Sequence, residues 1–109
     1  MSQLFTGAGV ALITPFTKES HVDYKSLEKV VENQVKGGMD YLVALGTTAE
    51  TATLTQEEKS NVVELVKEKS AGLPVVVGMG GNDTRAITNQ IDHFNFDGIS
   101  GILVVTPFY

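Results

Sequence analysis

The chain has 109 residues, 42% hydrophobic and 19% charged, with a net charge of −5 and no cysteine. That length suits one domain with a modest core. The composition excludes disulfides and thiolate metal sites, a basic nucleic-acid footprint and, with no apolar run of about eighteen residues, a membrane-spanning helix. Small anionic substrates stay open, because local donors decide those. Met1-Ser2-Gln3-Leu4-Phe5 lacks a basic stretch followed by an apolar one, so no signal peptide is expected and a cytoplasmic address fits.

The first apolar run is Gly9-Val10-Ala11-Leu12-Ile13. A helical pattern then begins near Asp23, a good N-cap, with Leu27, Val30, Val31 and Val35 on one face and Gly37-Gly38 as its stop. The second run, Tyr41-Leu42-Val43-Ala44-Leu45, leads straight into Gly46-Thr47-Thr48-Ala49-Glu50-Thr51. Thr55-Gln56-Glu57-Glu58 fits a capping box and opens a second helix, whose apolar face is Val62, Val63 and Val66 and which Gly72 and Pro74 end. Pro74-Val75-Val76-Val77 is the third run, followed by Gly78-Met79-Gly80-Gly81-Asn82-Asp83. A third helix starts near Asn82-Asp83-Thr84, carries Ile87, Ile91 and Phe94 inward and stops before Asp97-Gly98. Ile102-Leu103-Val104-Val105 is the fourth run, and Thr106-Pro107-Phe108-Tyr109 follows it.

All four runs are short and lack polar alternation, which predicts strands buried on both faces. The order is β-α-β-α-β-α-β, with about thirty residues per unit, the size of a parallel crossover. No linker, low-complexity tract or sequence-level repeat interrupts it. Two architectures share this order: an open doubly wound sheet and the start of a (β/α)8 TIM barrel, which takes about 250 residues in full. Length favours the first. The end favours the second, because the chain stops just past a strand with no helix to cover it and so reads as cut.

In either architecture ligands gather beyond the carboxyl ends of the strands. Those ends are Thr14-Pro15-Phe16, Gly46-Thr47-Thr48, Gly78-Met79-Gly80-Gly81-Asn82 and Thr106-Pro107-Phe108-Tyr109. Gly46 lets the backbone turn sharply, the amides after it can meet a carboxylate or phosphate, and a threonine hydroxyl can both give and take a proton. The same threonines also suit an ordinary turn. The glycines after the third run fail the dinucleotide fingerprint, because Asp83 stands where its last glycine belongs, and they lack the Lys-Ser/Thr end of a P-loop. A tight turn into a helix cap is the better reading. Tyr109 suits packing as readily as chemistry. His21 and His93 have no partner at ligand spacing, so no metal is expected. No lysine sits inside a strand run, so none of them looks desolvated enough to be a reactive amine.

Gly46-Thr47-Thr48-Ala49-Glu50-Thr51-Ala52-Thr53-Leu54 resembles the GTTGE(S/T)ATL signature of the dihydrodipicolinate synthase family, within the N-acetylneuraminate lyase superfamily. Gly7 to Phe16 resembles that family's opening strand, and Gly101 to Tyr109 its fourth. The resemblance implies that residues 1–109 are the N-terminal half of a TIM-barrel domain, with no second domain in this chain. The parent would be a homotetramer, a dimer of dimers, using no cofactor. It would be a lyase of lysine and diaminopimelate biosynthesis, condensing pyruvate with aspartate β-semialdehyde through a Schiff-base lysine. The resemblance also implies roles for three residues. Thr47 would relay protons between two tyrosines, Tyr109 would be one of those two, lent to a neighbouring subunit, and Thr48 would bind the pyruvate carboxylate. The Schiff-base lysine lies in the family's later strands, so the chain alone is expected to be inactive. Related readings are an N-acetylneuraminate lyase, a keto-sugar-acid aldolase, or a non-catalytic half-barrel that self-associates. Thr47 and Ala52-Thr53-Leu54 favour the synthase over the lyase.

Two departures stand out. Ala49 replaces the family's usual glycine and is expected to take a helix-compatible conformation, and Phe108 replaces a tyrosine. In feedback-regulated members lysine binds near the positions of Thr51, Ala52, Gln56, Lys59, Asn82, Ala86 and Phe108. Lys59, and an alanine at 86 in place of a carboxylate, imply weak lysine inhibition.

Overall fold

A computed structural model describes residues 5–105 of the chain. Four strands, β1 (Gly9–Ala11), β2 (Tyr41–Ala44), β3 (Val75–Gly80) and β4 (Gly101–Val105), form one parallel sheet in the order β1-β2-β3-β4. Helices α1 (Tyr24–Lys36), α2 (Gln56–Lys69) and α3 (Thr84–His93) alternate with them. A doubly wound sheet reverses its strand order and carries helices on both faces. This sheet keeps chain order, which is how a barrel is laid down.

Each helix starts where local chemistry dictates. Asp23 accepts a hydrogen bond from the Ser26 amide at 3.1 Å and from the Ser26 hydroxyl at 2.8 Å. At α2 the capping box is complete: the Glu58 amide donates to Thr55 Oγ1 at 3.1 Å, and the Thr55 amide donates to Glu58 Oε1 at 2.9 Å. Asp83 Oδ1 accepts from the amides of Arg85 and Ala86. Past α1 the left-handed residue is Gly38, with φ at 87°.

The strands sort their side chains by parity. Leu42 and Ala44 join Val75, Val77 and Met79 in a cluster with Leu27 and Val31 of α1 and Val62, Val63 and Val66 of α2. The intervening residues face the other way, where Ile13 is 51% exposed. The helix-covered face is therefore the core, and the opposite face is bare of helices, with Val76 at its centre the residue there that is buried.

Three expectations need correction. Strands buried on both faces were expected, but only β3 approaches this. All of β1 but Val10 is exposed, and Ile102 to Val105 of β4 are exposed. Composition reports a strand's liking for burial, while neighbours decide whether it is buried, and β4 is an outer edge. Ile91 was expected to point inward but is exposed, and α3 contains no buried residue. Only the end of that segment reaches the core margin, where Phe94 lies against Phe96 at 4.8 Å between ring centroids. Finally, β3 runs on to Gly80, so most of the glycines read as a turn belong to the strand.

Candidate functional site

The carboxyl end of β2 is built from two tight turns. Leu45 follows the strand with φ at 58°, and Gly46 then returns to an extended conformation with φ −74° and ψ −180°. A 3₁₀ turn covers Thr47–Ala49, Glu50 takes a left-handed φ of 56°, and a second 3₁₀ turn covers Thr51–Thr53 before α2 begins. The sharp turn assigned to Gly46 is thus made by Leu45, at a cost of about 1–2 kcal/mol for a residue with a Cβ. Ala49 does take a helix-compatible conformation and is buried.

Internal hydrogen bonds decide which amides remain for a ligand. The Ala49 amide donates to the Gly46 carbonyl and the Glu50 amide to the Thr47 carbonyl, each at 3.0 Å. The amides of Thr47 and Thr48 come first in the turn, where a 3₁₀ helix supplies no acceptor. Both threonines are exposed. Two adjacent hydroxyls and two leading amides on a short turn can hold an oxyanion and relay a proton.

Thr47 lines a cleft of about 910 Å³ bounded by α2, α3 and the ends of β3 and β4, and Thr48 does not. Glu50, Lys59 and His93 also line it. Nδ1 of His93 donates to the Asn89 carbonyl at 2.8 Å, which restrains the ring. Of the positions that the resemblance links to lysine feedback, Thr51, Ala52, Gln56, Lys59 and Asn82 line this cleft, and Ala86 does not. Lys59 does not act alone there, because Glu50 and Glu64 share the lining and Glu64 is paired with Lys67 at 2.8 Å. The cleft's charge is mixed.

Tyr109 and Phe108 lie outside the described residues. At the end of the first strand, Thr14 is buried, not on the rim, and its Oγ1 has no hydrogen-bond partner among the described residues. The cleft's polar residues come from two stretches, 47–64 and 82–95, and no local pattern in the sequence joined Gln56 to Asn89 and His93.

Parallel strands in chain order, with their helices on one face and a polar turn at a carboxyl strand end, define a segment of a (β/α) barrel with its ligand side at that end. The chain belongs to the dihydrodipicolinate synthetase family, whose family model matches residues 4–109. It is 54% identical over 104 residues to a 4-hydroxy-tetrahydrodipicolinate synthase of Parabacteroides distasonis, covering 94% of this chain and 35% of the relative. It is 44% identical over 108 residues to the enzyme of that name from Flavobacterium psychrophilum, covering 98% of this chain and 37% of the relative. The fold superposes on dihydrodipicolinate synthase from Aquifex aeolicus with a TM-score of 0.86 at 42% identity, covering 96% of this chain and 36% of that structure. For the Thermotoga maritima enzyme the TM-score is 0.89 at 36% identity, covering 98% and 36%. These relatives are TIM-barrel proteins, and this chain spans little more than a third of their length.

Proposed function

We propose that the chain is the N-terminal half of the barrel domain of a 4-hydroxy-tetrahydrodipicolinate synthase. The parent condenses pyruvate with aspartate β-semialdehyde through a Schiff-base lysine on a later strand, and works as a cytoplasmic homotetramer. In this reading the Thr48 hydroxyl and amide receive the pyruvate carboxylate. Thr47 and Tyr109 belong to the relay that moves protons during imine formation and cyclisation. The observation that carries the reading is the Thr47–Ala49 turn, with exposed Thr47 and Thr48 presenting two leading amides and adjacent hydroxyls at a strand's carboxyl end. A hydroxyl shared between phenols passes a proton without leaving a free charge in a site closed to water. Weak lysine feedback belongs to the same reading, through the missing carboxylate at Ala86.

The test is a chimera in which residues 1–109 replace the matching part of the Parabacteroides distasonis relative. It should condense the two substrates. Thr47→Val should lower kcat by about 10²-fold or more, and Thr48→Val should raise the pyruvate KM by about tenfold. The 109-residue chain alone should show neither turnover nor pyruvate trapped by borohydride. A folded chimera indifferent to both substitutions would overturn the site assignment, and strong inhibition by submillimolar lysine would overturn the feedback reading.

A second reading, a non-catalytic half-barrel that associates with its own kind, is favoured by one observation. Four consecutive apolar residues of β4, Ile102 to Val105, are each more than 40% exposed on the outer edge of the sheet.

A further inference from the structure

Leu45 is an unusual residue to find in the left-handed region. Its φ is 58°, yet its side chain is only 5% exposed. Strand parity would place it opposite Ala44, on the bare face. Instead Ala44 and Leu45, neighbours in sequence, join the same buried cluster. The left-handed conformation therefore swings an apolar side chain into the helix-covered core and turns the following backbone out of the strand.

The backbone displaced in this way lands on β3. The register pairs Val43 with Val76 and Ala44 with Val77, so Gly78 is the next residue opposite. A Cβ on Gly78 would stand 2.1 Å from the Leu45 carbonyl oxygen and 3.0 Å from the Gly46 amide nitrogen. No side chain fits there. Gly46 itself is under no such demand, because its φ is ordinary and a Cβ would meet only Val43 Cγ1 at 3.7 Å. The conformational need for glycine at this turn thus lies more than thirty positions downstream, on another strand.

We propose that Leu45 and Gly78 are a positioning pair for the substrate-carboxylate site. The buried Leu45 side chain pins the left-handed turn, and Gly78 lets that turn settle on β3. Between them they fix where the amides and hydroxyls of Thr47 and Thr48 point. Neither residue touches substrate; both act through the backbone of residues 46–48. The proposal rests on the reading of Thr48 as the carboxylate-binding residue.

The chimera described above tests it. Leu45→Gly keeps the permitted φ and removes the pin. Gly78→Ala keeps the pin and blocks the approach. Leu45→Met keeps an unbranched apolar pin. Leu45→Gly and Gly78→Ala should each raise the pyruvate KM by about tenfold while leaving the aspartate β-semialdehyde KM within about twofold, and Leu45→Met should restore the pyruvate KM to within about twofold. Leu45→Gly introduces no clash, so it decides the matter if Gly78→Ala does not fold. Lowered thermal stability without a split between the two KM values would overturn the pair as a positioning device. Thr48→Val separates the two layers of inference. A raised pyruvate KM for Thr48→Val beside an unchanged one for Leu45→Gly removes the pair alone. An unchanged KM for Thr48→Val removes the carboxylate reading, and the pair's proposed role with it.

Discussion

Asp40 and Ala8 bind each other twice. The Asp40 amide donates to the Ala8 carbonyl at 2.8 Å, and the Ala8 amide donates to Asp40 Oδ2 at 2.7 Å. The exchange closes the sheet at the entrances of β1 and β2, just before their ladder begins at Gly9 and Tyr41. Gly7 completes it, because its φ is 97° and a Cβ there would run into the Asp40 carboxylate. Asp40→Ala should cost about 1–2 kcal/mol, since it leaves the Ala8 amide without its charged acceptor. Asp40→Asn should cost less, because its side-chain oxygen still accepts. Urea midpoints at constant m-value would rank the three proteins, and equal midpoints would show that the side chain contributes nothing.

The Thr55 capping box is the next quantity to measure. Both of its bonds are formed, and together they satisfy two amides at the start of α2. Thr55→Ala should destabilise the fold by about 1 kcal/mol, and Thr55→Ser by much less. Thr55 is exposed, so packing contributes little to the difference. Indistinguishable midpoints for the alanine and serine variants would remove the box as a stabilising element.

Thr14 makes the opposite prediction. Its hydroxyl is buried and finds no partner among the described residues, a situation that costs about 1–3 kcal/mol relative to hydration. Thr14→Val keeps the shape and removes the unpaired oxygen, so stability should hold or rise. A loss of more than about 1 kcal/mol would mean that the hydroxyl has an acceptor.

How the chain reads before folding can be judged from these same residues. The helix starts at Asp23, Thr55 and Asp83 are local events, and local chemistry found all three. Parity carried more information than hydroxyl content did. Leu12 is buried and Ile13 exposed, so Thr14 follows Leu12 inward and away from the rim. Leu45 could not be read at all. Leucine carries no turn signal, and the adjacent glycine drew the turn to the wrong position. The need for glycine at Gly78 arises from a backbone thirty-three positions earlier, a relation that exists only after β2 and β3 pair. Exposure of β4 is likewise set by what lies beside it, and an apolar run cannot report that.

The pH dependence of stability follows from two surface groups and their partners. The Ser26 amide, and then its hydroxyl, hold the Asp23 carboxyl below its usual value. The hydrogen bond to Lys69, at 3.1 Å, does the same for Glu28, and Glu28 in turn raises Lys69. A depressed carboxyl stabilises the fold above its unfolded value and loses that contribution as pH falls through the folded one. A raised lysine contributes below its unfolded value and loses the contribution as pH climbs through the folded one. Stability should therefore fall on the acid side through Asp23 and Glu28, and on the far alkaline side through Lys69. Asp23→Asn and Glu28→Gln should each flatten the acid limb, and Glu28→Gln alone should also flatten the alkaline limb. An acid limb unchanged in the double variant would place the sensitivity elsewhere.

The exposed edge sets the last prediction. Ile102, Leu103, Val104 and Val105 are 41%, 48%, 56% and 48% exposed, consecutive on a strand with one side unpaired among the described residues. An apolar edge without charge or proline is a template for pairing. Strand order adds a geometric condition, because β1 and β4 are opposite edges of a parallel sheet. A second copy related by a two-fold axis along the strands can set its β1 beside β4 and its β4 beside β1, keeping all strands parallel. The isolated chain should therefore sediment as a dimer or larger. Val104→Lys should shift it toward monomer, since a charge at the most exposed of the four residues is costly to bury in such a contact. Thr55→Ser, at the start of α2 and away from both edge strands, should leave the distribution unchanged. A monodisperse monomer at high concentration, or an assembly indifferent to Val104→Lys, would exclude pairing through β4.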